Sequence, residues 1–555
     1  MSKHVTGVFL LVFAWALVGG LFACSAGREV ANDHDGGGDA DADADTDGDV
    51  DSDTDGDADG DTDTGTEIVP DPTTCAEAES GHTYVGCDFW PVVLPNVVGE
   101  WFDYAVIVSN VGDTPAEIEI ERAGEEVATG EVAPGTLEKF FLPWVDETKH
   151  WTALCDTGTP QPGELVSKRV PDGAYHLTSS VPVIVYQFNP LEYGPSGGPE
   201  GKDWSGCNCW TGCHSYTNDA SLLLPSTAVT GNYRVTGPRG EADGTVTQGA
   251  YFAVIGTQDG TSVATQIGPN GAVRAGADIP AATGDQVFDF GVDRGEVVIV
   301  VSTESSDLSG TILNATAPVI VMSGAPCHQI PETYTACDHM EESVLPAETF
   351  GRHYFVAVPT NPRGVPIGHV VRLYGNVDGT TLTYAPTAPA GAPSTIGAGQ
   401  VADLGEVTDN FYVEGSEPFA VTSFLLGSGI SDPTQLLHAD GDPAESNVQA
   451  EEQFRKKYVF LAPDDYEFSF ADMVAPDGAT CLLDGAAIDA PPTAIGATGY
   501  SVFRMELAIG TDGTHVLECD QPVALQVMGY GFATSYNYPG GANLTQISDP
   551  PIVVE

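Results

Sequence analysis

Three cysteines and a histidine fall within eight residues, Cys207-Asn208-Cys209-Trp210-Thr211-Gly212-Cys213-His214. Three thiolates and an imidazole can hold zinc tetrahedrally. Structural zinc sites divide their ligands between two knuckles, whereas this run is contiguous, so disulfides are the expectation and no metal site is assigned. A second constellation is Cys337-Asp338-His339-Met340-Glu341-Glu342, in which His339 is flanked by carboxylates and has the makings of a base or a ligand. Beside a cysteine that can staple its loop, His339 is read as structural. Gly194-Pro195-Ser196-Gly197-Gly198 spells G-x-S-x-G, but a nucleophile elbow joins a strand to a helix, which Pro195 and Pro199 forbid. Asp156-Thr157-Gly158 matches an aspartic-protease loop by letter. That chemistry needs a second aspartate sharing a proton, and Asp63-Thr64-Gly65 lies in low-complexity sequence. Neither H-E-x-x-H nor a phosphate-binding loop occurs. The chain is therefore read as non-enzymatic, with no catalytic residue and no cofactor.

Contact with a ligand is the chemistry that remains. Trp204, Trp210 and Tyr216 are concentrated in a Gly/Pro-rich insert from Pro190 to Tyr216, beside Glu200, Asp203 and Asp219. Aromatic rings dominate protein contacts and stack on sugars, and a stapled loop loses less entropy on binding. These three residues are the candidate ligand contacts, placed at the junction of the first and second repeats. The carboxylates favour a cationic or hydroxyl-rich partner.

The elements that must present this insert begin with an export signal. Lys3 and His4 precede an apolar run from Val8 to Val18, which ends in Leu21-Phe22-Ala23-Cys24. A small residue before a cysteine matches a bacterial lipobox, so Cys24 is the expected lipidation site. Ser25 after it points to the outer membrane or cell surface, with membrane contact through the lipid anchor alone. Fifteen aspartates from Asp33 to Asp63 then alternate with Ala, Thr, Gly and Ser, a composition that forms no core and reads as a disordered stalk. Asp43, Asp45, Asp47 and Gly48, and Asp51, Asp53, Asp55 and Gly56, open like calcium loops. Thr54 and Thr62 stand where the bidentate glutamate is required, so weak calcium association is the most expected of them.

The whole chain carries 80 acidic and 19 basic residues, and the part beyond residue 70 keeps 63 and 17 of them. Nucleic acid is excluded as a partner, because phosphate binding needs clustered Lys and Arg. Eleven cysteines less Cys24 leave ten disulfide candidates: Cys75, Cys87, Cys155, Cys207, Cys209, Cys213, Cys327, Cys337, Cys481 and Cys519. Cys327 with Cys337, Cys481 with Cys519 and Cys75 with Cys87 are the favoured pairs; the connectivity of the other four stays open.

Gly and Pro supply 65 and 39 of 555 residues, which favours turn-rich β structure. The length allows three or four domains. A repeat is visible around four prolines. Leu177 precedes Pro182-Val183-Ile184-Val185, Leu313 precedes Pro318-Val319-Ile320-Val321, Val413 precedes Pro418-Phe419-Ala420-Val421, and Leu517 precedes Pro522-Val523-Ala524-Leu525. Each has an aliphatic residue five before the proline and apolar residues one and three after it, the period of half-buried strands. Polar residues between the halves are expected to turn. Each repeat also has an opening strand, Tyr104-Ala105-Val106, Tyr233-Arg234-Val235, Tyr354-Phe355-Val356 and Tyr458-Val459-Phe460. Successive prolines lie 136, 100 and 104 residues apart, too long for one propeller blade each. The expected fold is all-β: about four tandem antiparallel β-sandwich-like modules after a signal peptide and a disordered Asp-rich stalk. The expected boundaries are 1–23 for the signal peptide, 24–70 for the linker, and 71–219, 220–344, 345–445 and 446–545 for the modules. Glu445–Lys457 is the best helix candidate.

Asn218-Asp219-Ala220-Ser221-Leu222-Leu223-Leu224-Pro225, Ala317-Pro318-Val319-Ile320-Val321, Cys327 and the Cys337–Glu342 string together resemble the IgGFc-binding protein N-terminal domain family. The resemblance covers most of residues 85–540 and is strongest from 215 to 360. It implies an extracellular β-rich binding region and carries no ligand with it. The expected function is a surface-anchored, adhesion-type binding lipoprotein whose ligand is protein or glycan. A secreted hydrolase with an unrecognised site and a structural envelope protein are the alternatives.

Overall fold

In every module one strand serves both sheets. It runs as His176–Phe188 in the first module and Thr514–Gly531 in the fourth. In the second it is broken at Pro318 into Ile312–Ala315 and Val319–His328, and in the third at Pro418 into Phe411–Gly415 and Phe419–Phe424. The polar residues before each proline make a corner rather than the expected turn. The first half stays in one sheet and the second half enters the other. A proline suits that corner because it has no N–H to offer a ladder. The halves keep equivalent partners throughout. Leu177, Leu313, Val413 and Leu517 face Phe89, Tyr233, Tyr354 and Tyr458. Val185, Val321, Val421 and Leu525 face Val108, Val254, Leu373 and Met473.

These pairings confirm four sandwiches and correct one member of the opening-strand series. Tyr104 lies in Tyr104–Ser109, which pairs with the second half of the first module's strand. Gly86–Phe89 holds the opening position instead. Both sheets have an inner strand with buried apolar residues, so a Tyr followed by apolar residues does not distinguish them. In the other three modules the opening tyrosine fixes the corner. Tyr233, Tyr354 and Tyr458 donate their hydroxyls to the carbonyls of Val319, Phe419 and Val523, each the residue after the proline, at 2.5–2.6 Å. This is the bonding logic of a tyrosine corner. Phe89 has no hydroxyl to do the same.

The computed structural model describes residues 71–99, 101–150, 164–207, 212–241, 249–332, 337–432, 439–508, 513–544 and 554. The signal peptide, Cys24, the Asp-rich linker, Cys155, Cys209 and Trp210 lie outside these residues. Thr66–Glu555 is a single compact unit. Within it the modules contact one another in a closed ring. Ala174 N donates to Gly295 O (3.1 Å) between the first and second. Arg234 Nε donates to Asn376 Oδ1 (3.2 Å) between the second and third. Thr360 N and Oγ1 donate to Asp472 (2.8 and 2.7 Å) between the third and fourth. Tyr186 OH donates to Gly540 O (2.8 Å) between the first and fourth.

Each module ends in a short strand paired with the second half of its corner strand: Ala220–Leu222, Asp338–Ser343, Glu445–Asn447 and Thr534–Pro539. These four closing strands pack against one another along the axis of the ring. Ala220–Leu222 therefore belongs to the first module, beyond the boundary expected at 219. Lys168–Val170, inside that boundary, instead extends a sheet of the second module. The expected helix at Glu445–Lys457 is a closing strand, a single 3-10 turn at Glu451–Gln453 and the opening strand Arg455–Leu461. Its two ends are claimed by ladders of different modules, Glu445 opposite Phe424 and Lys457 opposite Glu518. Disulfides join Cys75 to Cys87, Cys207 to Cys213, Cys327 to Cys337 and Cys481 to Cys519.

Candidate functional site

The axis is organised by one side chain. Asp219, just before the first closing strand, is fully buried. Its Oδ1 accepts the N–H groups of Ala220 (2.9 Å) and Asn537 (3.2 Å), and its Oδ2 those of Glu341 and Glu445 (both 3.1 Å). The four donors are equivalent, lying opposite Phe188, Met528, Gly324 and Phe424 on their corner strands. One carboxylate thus takes one backbone donor from each module. Among side chains only a carboxylate offers this many acceptor positions without a competing donor. Burial pushes the Asp219 pKa up, and the N–H donors pull it back toward the charged form.

Further acids surround it. Glu341 accepts from Gln187 Nε2 (3.1 Å), Ser221 Oγ (3.2 Å) and Asn189 Nδ2 (2.5 Å). Asp338 accepts from Thr534 Oγ1 (2.9 Å) and Ser535 N (3.3 Å), and Glu342 from Ser343 N (2.8 Å). Burial holds Asp338 and Glu342 well above the ordinary carboxylate range, with the nearby Asp442 adding repulsion at Asp338. Glu445 is pushed to about 8 by burial, and neither of its side-chain oxygens has a hydrogen-bond partner. His339 is fully buried in this network, its Nε2 3.1 Å from Glu341 Oε2. The Asp338–Glu342 string, read from the sequence as structural, is thus enclosed at the axis. Among the described residues no group of three or more His, Cys, Asp or Glu side chains is placed to hold a metal ion.

The aromatic insert lies elsewhere, and not at the expected junction of the first two modules. It leans on the fourth. Asp465 Oδ2 accepts the N–H groups of Tyr193 (2.7 Å) and Gly194 (2.8 Å), and Tyr193 OH donates to Glu467 (2.9 Å). A Cβ on Gly197 would stand 2.3 Å from Asp465 Oδ2, so this approach requires glycine. Tyr216 is 6% exposed, edge-on to His214 and Phe532 with ring centroids at 5.8 and 5.6 Å. It is an internal packing residue rather than a surface contact. Trp204 is half-buried, 5.7 Å from the Phe102 ring, with Lys202 Nζ 4.3 Å from its own ring centroid. The Cys207–Cys213 bond closes the loop immediately after it.

Sequence reasoning passed over Asp219 as an organiser, missed Asp442, and took Glu445 only as the start of a helix. The signal was an acid shortly before or within a short segment after each of the first three Pro-centred strands.

Among the described residues no helix is long and apolar enough to cross a membrane. No solved structure matches the chain. Human IgGFc-binding protein is 27% identical over 342 residues, which are 60% of this chain and 6% of that protein. The chain thus spans a small fraction of that relative's length. The profile of the IgGFc binding protein family matches residues 219–529, opening on the aspartate that gathers the four closing strands. With that match over more than half its length, the chain belongs to the IgGFc-binding protein family.

Proposed function

We propose that the chain is an exported binding protein, anchored at the outer membrane or cell surface through acylated Cys24, that makes adhesion-type contact with an extracellular protein or glycan. The observation that carries this reading is Trp204, a partly exposed aromatic three residues before the Cys207–Cys213 disulfide, in an insert that Asp465 pins to the fourth module. Such a ring is pre-ordered, so its contact area is not spent on immobilising the loop. Trp210, between the two bonded cysteines in the sequence, is the companion contact. The ring of sandwiches acts as a scaffold, and the stalk gives reach, with calcium at most loosely associated. The function is binding and not catalysis.

The test is capture by the full mature chain on a glycan array and on an array of extracellular proteins that includes an IgG Fc fragment, chosen because the human relative is named for it. Trp204→Ala and Trp210→Ala should each weaken the captured ligand at least tenfold while the melting temperature stays nearly constant. Unchanged affinity in both would remove the insert from the contact; an array with no captured ligand would defeat the binding reading. Cys24→Ala should abolish metabolic acyl labelling, and a mutant labelled like the wild type would refute the anchor.

A further inference from the structure

The ring of Trp204 forms one wall of a cage around an ammonium group. Lys202 Nζ lies 4.3 Å from its centroid, bonds Asp103 Oδ2 and stands 3.7 Å from Glu192 Oε1. The walls are fixed from behind. Asp103 immediately precedes the strand Tyr104–Ser109, and its N–H donates to Glu192 Oε2 (2.8 Å). The Trp204 ring packs against Phe102 and lies so close to Gly198 that a Cβ there would stand 2.5 Å from Cζ2. Lys202 instead rides on a surface turn. Its N–H donates to Pro199 O (3.3 Å), and Glu200, Gly201 and Asp203 beside it are exposed.

Glu192 distinguishes this cage from a surface ion pair. Its side chain is wholly buried, and its Oε1 has no hydrogen-bond partner. A buried acceptor left unanswered is costly. Burial and the neighbouring Asp103 push the Glu192 pKa up, and a cation drawn between the two carboxyl groups is what lets both ionise. The side chains of Lys202 and Asp103 are 20% and 27% exposed, so the cage meets solvent where the ammonium enters. An aromatic face beside two carboxyl groups selects a cation by ring quadrupole and by charge. The observed occupant shows that a compact ammonium fits. Lys202 is the only lysine or arginine from Pro190 to Tyr216, against Glu192, Glu200 and Asp203, so the surround is acidic as well.

We propose that this cage is the specificity pocket of the Trp204 surface: it takes a lysine side chain of an extracellular protein, and Lys202 fills it in the free chain as a plug that the partner's ammonium displaces. This rests on the Trp204 reading above and narrows its partner to a protein that presents a lysine. The exchange is like for like at the cage, and the released Lys202 regains its rotamer freedom. A tethered plug competes at an effective concentration of about millimolar or more, so an isolated lysine is held off until the rest of an interface adds to it.

Removing the plug from the full chain tests this, with the peptide acetyl-Gly-Gly-Lys-Gly-Gly-amide as probe, its Gln counterpart as control, and calorimetry at millimolar concentration. Lys202→Ala should bind the lysine peptide about tenfold more tightly than the parent and should not bind the Gln peptide. Adding Asp103→Asn or Trp204→Ala to Lys202→Ala should remove that gain. No gain in Lys202→Ala, equal binding of the two peptides, or a gain that survives both added substitutions overturns the proposal. Lys202→Met, which keeps the stem, repeats the test should Lys202→Ala melt early. A protein captured on the arrays should bind Lys202→Ala more tightly as well. A captured ligand, glycan or protein, that Trp204→Ala weakens and Lys202→Ala leaves unmoved overturns the plug and leaves the Trp204 reading standing. A ligand indifferent to Trp204→Ala defeats both.

Discussion

Exchanging one oxygen of Asp219 for an amide nitrogen turns an acceptor of two N–H groups into a donor facing both. Asp219→Asn therefore leaves at least two buried backbone donors unanswered, at about 1–3 kcal/mol each. We expect a loss of about 2–6 kcal/mol in denaturant unfolding, with secondary structure retained below the transition. A variant as stable as the parent would show that the four bonds are not what holds the axis. Little of this role was legible. The Asn218–Pro225 string stands out locally, but the donors answering Asp219 lie 122, 226 and 318 residues away. His339 was legible as structural because a cysteine two residues before it could staple its loop. Tyr216 was misplaced because an aromatic beside cysteines reads the same whether its ring turns outward or, as here, inward.

At the scale of the element, the corner strand carries the fold. Tyr354 OH donates to Phe419 O at 2.5 Å and accepts from Gly351 N at 3.1 Å, across the bend at Pro418. Tyr354→Phe should cost about 1–3 kcal/mol, because the ring still fills its place while a buried carbonyl and N–H lose their partner. Equilibrium unfolding reads it, and hydrogen exchange should rise first at Gly351. A neutral outcome would mean that packing alone sets the corner. The corner strands were visible beforehand because burial on one face imposes a period of two and proline punctuates it. Their change of sheet was not, since alternation says which side chains are buried and not which sheet covers them. The mistaken helix at Glu445–Lys457 arose because its acids and bases divide among a closing strand, a 3-10 turn and an opening strand, which charge patterning alone does not distinguish from a helix.

At the scale of the whole molecule, the buried acids set a pH dependence. Glu445 is raised to about 8, and Asp338, Asp442 and Glu342 are raised well above their usual values, chiefly by burial. Such groups hold their protons more tightly when folded, so stability falls as pH rises from the unfolded value toward the folded one. His328 and His369, both held down to about 3 by burial, act in the opposite sense up to about 6.5. Lys149, held down to about 7 by burial, does so above about 7. Between about pH 6.5 and 7 His328, His369 and Lys149 are only partly titrated and together return roughly what one acid withdraws, whereas each of the four acids should withdraw up to about 0.7 kcal/mol, so the acids prevail. The melting temperature is expected to fall across that interval, and Glu445→Gln to flatten the fall. A rise there would mean that the acids are already ionised in the fold. The single Asp219 has a different consequence, one of symmetry. Met340, Ala444 and Tyr536 occupy the positions equivalent to it, each just before a donor. Four identical subunits around a rotation axis would bring either four charges to that point or none. One acid answering four modules requires modules free to differ from one another, a freedom that four modules in a single chain have and four identical subunits lack.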